Sequence, residues 1–161
     1  MAVKAIFPGS FDPPTFGHLN LIERSHPFFA ELHVVIAVNK NKQTLFSPDE
    51  RRSMLAELVA PWKNVTVALH DRLIVEYARE HCIRVLLRGI RNIEDFAHEF
   101  DISLMNRALD SRVETFFIPT DQRFFVLKSS AIKEIASFGG DVSAMVPPLI
   151  ADALKNKFAP R

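Results

Sequence analysis

Five short runs rich in β-branched and aromatic residues divide the chain, and their spacing constrains the fold more than any other feature. They are VKAIFP from Val3, LHVVIAV from Leu32, VTVAL from Val65, RVLLR from Arg84 and VETFFI from Val113. Most are apolar at nearly every position, the pattern of strands covered on both faces of a parallel sheet. Helix-period segments separate them. The pattern predicts helices from Gly17 to about Phe28, Pro48 to Val59, Leu73 to His81 and Ile93 to Leu109. Ser47 as N-cap, Pro48 at the first helical position and Glu50 behind them make a capping box. Ser130 is expected to cap a helix that stops before Gly139-Gly140, and Pro147-Pro148 to open a last one to about Lys157.

Strict alternation of strand and helix predicts a doubly wound, Rossmann-like α/β domain: a five-stranded parallel sheet with right-handed crossovers and helices on both sides. The 161 residues suit one such domain over 1–161, with a mix of 48% hydrophobic and 24% charged side chains close to the globular average. Twenty basic against nineteen acidic groups leave a net charge of +1, so no overall field favours nucleic acid or a membrane surface. Any anion site must be local. Cys82 is the single cysteine, which points to a reducing, cytoplasmic setting. MAVKAIFPGS runs straight into a strand without the apolar stretch of a signal peptide, and no segment approaches the ~20 apolar residues of a membrane span.

In open α/β sheets, ligands bind beyond the carboxyl ends of the strands, where the strand order reverses. That rule selects the loops after Pro8, Val38 and Leu87, and each carries unusual polar residues. The first reads GSFDPPTFGH. Gly9 and Gly17 remove Cβ atoms where a backbone turns tightly or a ligand comes close. Pro13 and Pro14 stiffen the connection. The following helix points free N–H groups back into the crevice, an anion seat, with His18 in its first turn able to donate to a phosphate oxygen. His26, His33, His70 and His81 lack such a setting and read as surface or satisfied core residues.

The loop after Leu87 belongs to LLRGIRNIEDFAHEFDISLMNRAL. Arg88 ends a buried strand, Gly89 frees the backbone and Arg91 opens the next helix. Two guanidinium groups at one strand end are costly unless anions join them: either a ligand, or Asp95 and Glu99, which follow Arg91 along one helical face. Phe96, Phe100 and Leu104 recur at helical spacing and read as core. In NKNKQTLFSPDE, Lys42 follows the second strand at the mouth of the same crevice, whereas Lys40 reads as solvated. In KSSAIKEI, Ser129 and Ser130 stand at a helix start, a second N–H-rich seat.

TFGH, Thr15 to His18, fits the T/H-x-G-H signature of the nucleotidylyltransferase superfamily, and the chain has no P-loop G-x-x-x-x-G-K-[ST]. With PGSFDPPTFGH, Lys42 followed by SPDERR, LLRGIRNIEDFAHE, MNR at 105–107, SSAIKE and GGDVSAMVP, the sequence resembles the bacterial phosphopantetheine adenylyltransferase family along essentially its whole length. The resemblance implies a Mg²⁺-dependent transfer of the adenylyl group of ATP to 4′-phosphopantetheine, and a homohexamer. It implies that His18 stabilises the transition state, with Lys42 as a second catalytic group. Ser10, Lys42, Ile74 and Arg88 would bind phosphopantetheine. Ser10, Phe11, His18, Gly89, Ile90, Arg91, Glu99 and the stretch Phe124, Phe125, Val126, Leu127, Lys128, Ser129 and Ser130 would bind ATP. No protein ligand for the metal is visible, so phosphates would hold it. Ser10 replaces the family's usual threonine, His98 stands where tyrosine is common, and Lys128 takes the first place of a serine triplet.

Two alternatives remain open at this level. One is another nucleotidylyltransferase, acting on nicotinate or nicotinamide mononucleotide or transferring a cytidylyl group; Lys42, Arg88 to Arg91 and SSAIKE in place of S-T-x-x-R weigh against it. The other is a non-catalytic nucleotide-binding regulator. The intact T-x-G-H and three cationic loops weigh against that.

Overall fold

A computed structural model describes residues 2–39 and 41–159; Lys40 lies outside them. Five strands, β1 (Lys4–Gly9), β2 (Glu31–Ala37), β3 (Val65–His70), β4 (Val85–Ile90) and β5 (Glu114–Pro119), form one sheet. It is parallel throughout, in the order β3-β2-β1-β4-β5. The chain therefore winds outward one way through β2 and β3, then crosses back to β4 beside β1. That reversal is the switch point. The expected strands lie within a residue or two of the observed ones.

Helices α1 (Phe16–Ser25), α2 (Pro48–Val59), α3 (Ile74–Glu80), α4 (Ile93–Leu109), α5 (Ser129–Ser137) and α6 (Pro148–Phe158) connect or cover the strands. Leu21 and Ile22 of α1 and Leu55 and Val59 of α2 pack on the face presented by Ala5, Phe7, Val34 and Leu87. Tyr77 and Ala78 of α3 pack on the opposite face, with Ile6, Val35 and Leu86. A third cluster joins Ile132 of α5 to Ile150 and Leu154 of α6, Phe46 and Met54. The two-sided burial expected of the strands holds for β1 and β2. It fails for β5, an edge strand left partly exposed along its length.

Several local expectations are corrected. The first helix begins at Phe16 with Thr15 as N-cap and ends at Ser25, followed by a 3₁₀ turn at His26–Phe28. Pro27 supplies the reason, since it has no N–H to continue the α-helical ladder. Lys128, not Ser130, is the N-cap residue of α5, and neither serine hydroxyl caps the helix. Phe96, Phe100 and Leu104 are not core: they are 42%, 44% and 52% exposed, and α4 has no buried residue. The helix lies along the margin of the sheet: Phe96 meets the Phe117 ring edge-on at 5.3 Å, while Phe100 and Leu104 point largely to solvent. Gly89 frees no turn either. It lies within β4, and a Cβ there would collide with the Leu21 side chain, so it serves close strand–helix packing.

Candidate active site

At the switch point β1 and β4 pair only through Ala5–Val85 and Ile6–Leu86, then part. The carboxyl halves of both strands thus flank a crevice of about 400 Å³, within the ~300–1,000 Å³ usual for small-molecule sites. The Arg88 side chain bridges the opening strands, donating from Nη1 to the Pro8 carbonyl at 2.6 Å.

The T-x-G-H element is a capping box in which histidine takes the usual place of glutamate. Thr15 Oγ1 accepts from the His18 backbone N–H at 3.3 Å, and His18 Nδ1 accepts from the Thr15 backbone N–H at 3.1 Å. A ring nitrogen that accepts from an N–H is unprotonated, so the proton of the neutral imidazole resides on Nε2. Burial of the ring, then the charges of Arg91 and Arg88, lower the His18 pKa to about 4. The ring is therefore neutral near pH 7, with Nε2–H as its donor. Phe11 holds it edge-on at 5.0 Å and meets Phe7 at 5.6 Å. Phe11 has φ 47°, an unusual value for a bulky residue. A Cβ on Gly9 would lie 2.9 Å from the Phe11 ring, so here the glycine makes room for an aromatic buttress rather than a ligand.

Both arginines of the fourth-strand loop reach the crevice with carboxylates attached. Arg88 donates to Glu99 through Nε at 2.6 Å and through Nη2. Arg91 donates to Asp95 at 2.6 and 3.1 Å and to the Leu127 carbonyl at 3.4 Å. The carboxylates orient the guanidinium forks. Of the five N–H donors of each guanidinium, two remain for a ligand. Lys42, exposed on its loop, Lys128 and Lys133 complete the lining: five cationic side chains against the carboxylates Asp12 and Glu99. Such a surplus in a recessed site attracts polyanions.

His18, Lys42, Ser10, Phe11, Gly89, Arg88, Arg91, Glu99, Phe124, Leu127, Lys128, Ser129 and Ser130 all line this crevice. Ile90 ends β4, Ile74 begins α3 and packs with the Tyr77 cluster, and Phe125 and Val126 are exposed; none of these four lines it. Four other histidines are engaged elsewhere: His26 with Asn64, His33 with Tyr77, His70 with the Leu73 carbonyl, while the His81 ring lies 4.1 Å from that of Tyr77; His98 is exposed on α4.

Sequence reasoning passed over three residues here. Asp12, 3% exposed, accepts from the backbone N–H groups of Leu45 and Phe46, each at 3.0 Å, and from Lys133 at 2.7 Å. These bonds hold its carboxyl below the usual range against the opposing effect of burial. One carboxylate thereby ties the first loop, the lysine-bearing loop and α5 together. Lys133 follows Ser129 by four residues, the one sequence signal that both face the same side of a helix. Arg51 is 2% exposed; its Nη1 donates to the Ser10 carbonyl at 2.6 Å. In DERR it reads as a solvated helix residue.

A family model described as cytidylyltransferase-like matches residues 6–135. A phosphopantetheine adenylyltransferase of Treponema pallidum is 47% identical over 156 residues, covering 97% of this chain and 98% of the relative. One from Leptospira biflexa is 41% identical over 155 residues, covering 96% and 97%. Among solved structures, a Plasmodium falciparum nicotinic acid mononucleotide adenylyltransferase complexed with NaAD superposes with a TM-score of 0.69 at 16% identity, over 97% of this chain and 96% of that one. The Francisella tularensis bifunctional NMN adenylyltransferase/ADP ribose pyrophosphatase gives 0.72 at 12% identity over 100% of this chain and 50% of its own. At such identities the two structures speak for the fold alone. Full-length sequence identity speaks for more: this chain belongs to the cytidylyltransferase-like family and, within it, to the phosphopantetheine adenylyltransferases.

Proposed function

We propose that the protein transfers the adenylyl group of ATP to the phosphate of 4′-phosphopantetheine, forming dephospho-coenzyme A and pyrophosphate in the synthesis of coenzyme A. The observation that carries this reading is a neutral imidazole, its Nε2–H without a partner among the described residues, set among five cations at the mouth of the split sheet. A phosphate monoester has a second pKa of about 6, so the nucleophile is already largely ionised near neutrality and needs no general base. Its oxygen attacks the α-phosphorus, a new P–O bond forms, and the bond from α-phosphorus to the bridging oxygen breaks with its electron pair leaving on pyrophosphate. The task for the protein is to align two anions and stabilise charge as it shifts.

The geometry supports a division of that labour. Lys42 and Arg88 hold the acceptor phosphate on one side. Arg91, Lys128, Lys133 and the N-terminal N–H groups of α5 at Ser129 and Ser130 receive the triphosphate on the other. His18 Nε2–H donates to a non-bridging α-phosphate oxygen between them. Glu99 positions Arg88. Lys128, in place of a serine, adds a cation to the triphosphate side.

Mg²⁺ belongs to this reading as charge neutralisation on the triphosphate. Among the described residues no group of three or more His, Cys, Asp or Glu could hold a metal ion, and Asp12 and Glu99 are already bonded. The donor set therefore fits an ion that arrives with its phosphates. A homohexamer is also part of the proposal, supported by the exposed apolar stripe Phe96, Phe100 and Leu104 on α4. The reading places the enzyme in the cytoplasm, as the single cysteine suggests; no helix among the described residues is long and apolar enough to cross a membrane.

Incubation with MgATP and, in turn, phosphopantetheine, nicotinate mononucleotide and nicotinamide mononucleotide, with pyrophosphate release as the readout, tests the assignment. Release with phosphopantetheine alone is expected. Release only with a mononucleotide would overturn it, and release with none would favour a regulator.

A further inference from the structure

A guanidinium ion buried to 2% exposure is strongly unfavourable unless its donors are well used. Arg51 is such a group, and among the described residues its side chain is hydrogen-bonded to no carboxylate. It donates to two main-chain carbonyls: Ser10 through Nη1 at 2.6 Å and Ser47 through Nε at 3.4 Å. The Ser47–Glu50 capping box fixes the first turn of α2 and hence the root of this side chain. Arg51 does not line the crevice; Ser10 and Phe11 do.

We infer that Arg51 is a positioning residue that, by capturing the Ser10 carbonyl, turns the N–H of Phe11 into the crevice as a fixed donor for a substrate phosphate. The inference rests on the proposed nucleotidyl transfer for the identity of that phosphate. Its physical basis is the planarity of the peptide unit. In a trans peptide the C=O of Ser10 and the N–H of Phe11 point in opposite directions. With the carbonyl held toward Arg51, on the protein side, the N–H faces the crevice. Consistently, it has no protein acceptor among the described residues, although Phe11 is 1% exposed.

The same peptide has a reason to turn the other way. A flip of this unit rotates φ of Phe11 by about 180°, from 47° to roughly −130°, the ordinary extended region. That rotation would relieve a strained backbone conformation. It would also exchange an N–H for a carbonyl oxygen facing an anion. The Arg51 bond opposes the flip and keeps the strained, donor-in orientation. The cation behind the carbonyl further polarises the peptide toward a positive N–H end.

The test follows the amide itself. In parent protein labelled with ¹⁵N-phenylalanine, the Phe11 amide proton should move downfield on titration with MgATP; an unmoved Phe11 amide under saturating MgATP overturns the inference. Arg51→Met keeps the volume and removes the donors. It should lose the Phe11 response and lower kcat by roughly 10²-fold, the scale of one missing transition-state donor. Millimolar guanidinium should restore part of the kcat of Arg51→Ala, which a merely destabilised fold would not show. A folded Arg51→Met with parental kcat and parental Phe11 response also overturns it. Should the variants not fold, the parent titration alone decides. Should the parent bind MgATP with a Phe11 shift yet release no pyrophosphate with phosphopantetheine, the positioning role stands and the proposed acceptor falls.

Discussion

Removing the His18 ring is the perturbation whose consequence follows most directly from the geometry. Its Nδ1 is engaged by the Thr15 N–H, its Nε2–H has no partner among the described residues, and Phe11 fixes the ring plane, so the donor is set before substrate arrives. Loss of one such donor costs about 2.7–4 kcal/mol in the transition state. At about 1.4 kcal/mol per decade, His18→Ala should lower kcat by roughly 10²–10³-fold. KM for either substrate should change little, because the bond gains its strength only as charge shifts on the α-phosphate. Steady-state pyrophosphate release at varied ATP and phosphopantetheine measures all three constants. The Thr15 hydroxyl can still cap the helix, so the variant should remain folded. The pH dependence adds a second check. With a pKa of about 4, the imidazole is neutral from pH 5 upward. Any fall in kcat/KM on the acid side near pH 6 then belongs to the acceptor phosphate and should persist in the variant. Turnover within about threefold of the parent would refute a donor worth even 1 kcal/mol, and an acid limb near 6.5 that vanishes with His18 would refute the neutral ring.

Further outcomes follow from the same structure. Lys42→Ala and Arg88→Ala should weaken phosphopantetheine binding more than ATP binding, read by calorimetry; unchanged affinity in both would contradict the acceptor assignment. Because His18 titrates near 4 when folded and near 6.5 when not, the unfolded chain binds a proton between those values that the folded chain does not. Stability should therefore fall by roughly 1–3 kcal/mol as pH drops through that window, with no contribution above it. Urea midpoints at pH 7 and 4.5 should show the loss, and His18→Gln should lack it. Asp12 adds to the same trend at lower pH: its carboxyl is held low, so its contribution is present above pH 4 and fades below it. Asp12→Asn should raise KM for phosphopantetheine by loosening the lysine loop, and a normal KM would show that loop to be independent of Asp12. Gly89→Ala should lower stability by about 1–3 kcal/mol through the clash with Leu21, seen as a reduced Tm. Phe100→Glu should dissociate the proposed hexamer, measured by light scattering.

The linear pattern was enough to specify the α/β alternation, because unbroken apolar runs and helical periodicity follow from burial within each element and depend little on partners. It determined the family too, through motifs such as T-x-G-H and RGIR, and with it most residues that line the crevice. What those residues do for one another emerged only from packing. Glu99 could not be assigned to Arg88 from a helical face that ran from Arg91. Asp12 reads as an unwelcome anion in a phosphate loop until the N–H groups of Leu45 and Phe46 and the ammonium of Lys133 arrive from distant segments. Arg51 reads as surface charge until the fold buries it behind Ser10. Conversely, Phe96, Phe100 and Leu104 carry the periodicity of a core that this chain does not build around them. Local patterns report which surface a residue wants to bury; only the packed sheet, splitting between β1 and β4, decides which charges meet across the gap.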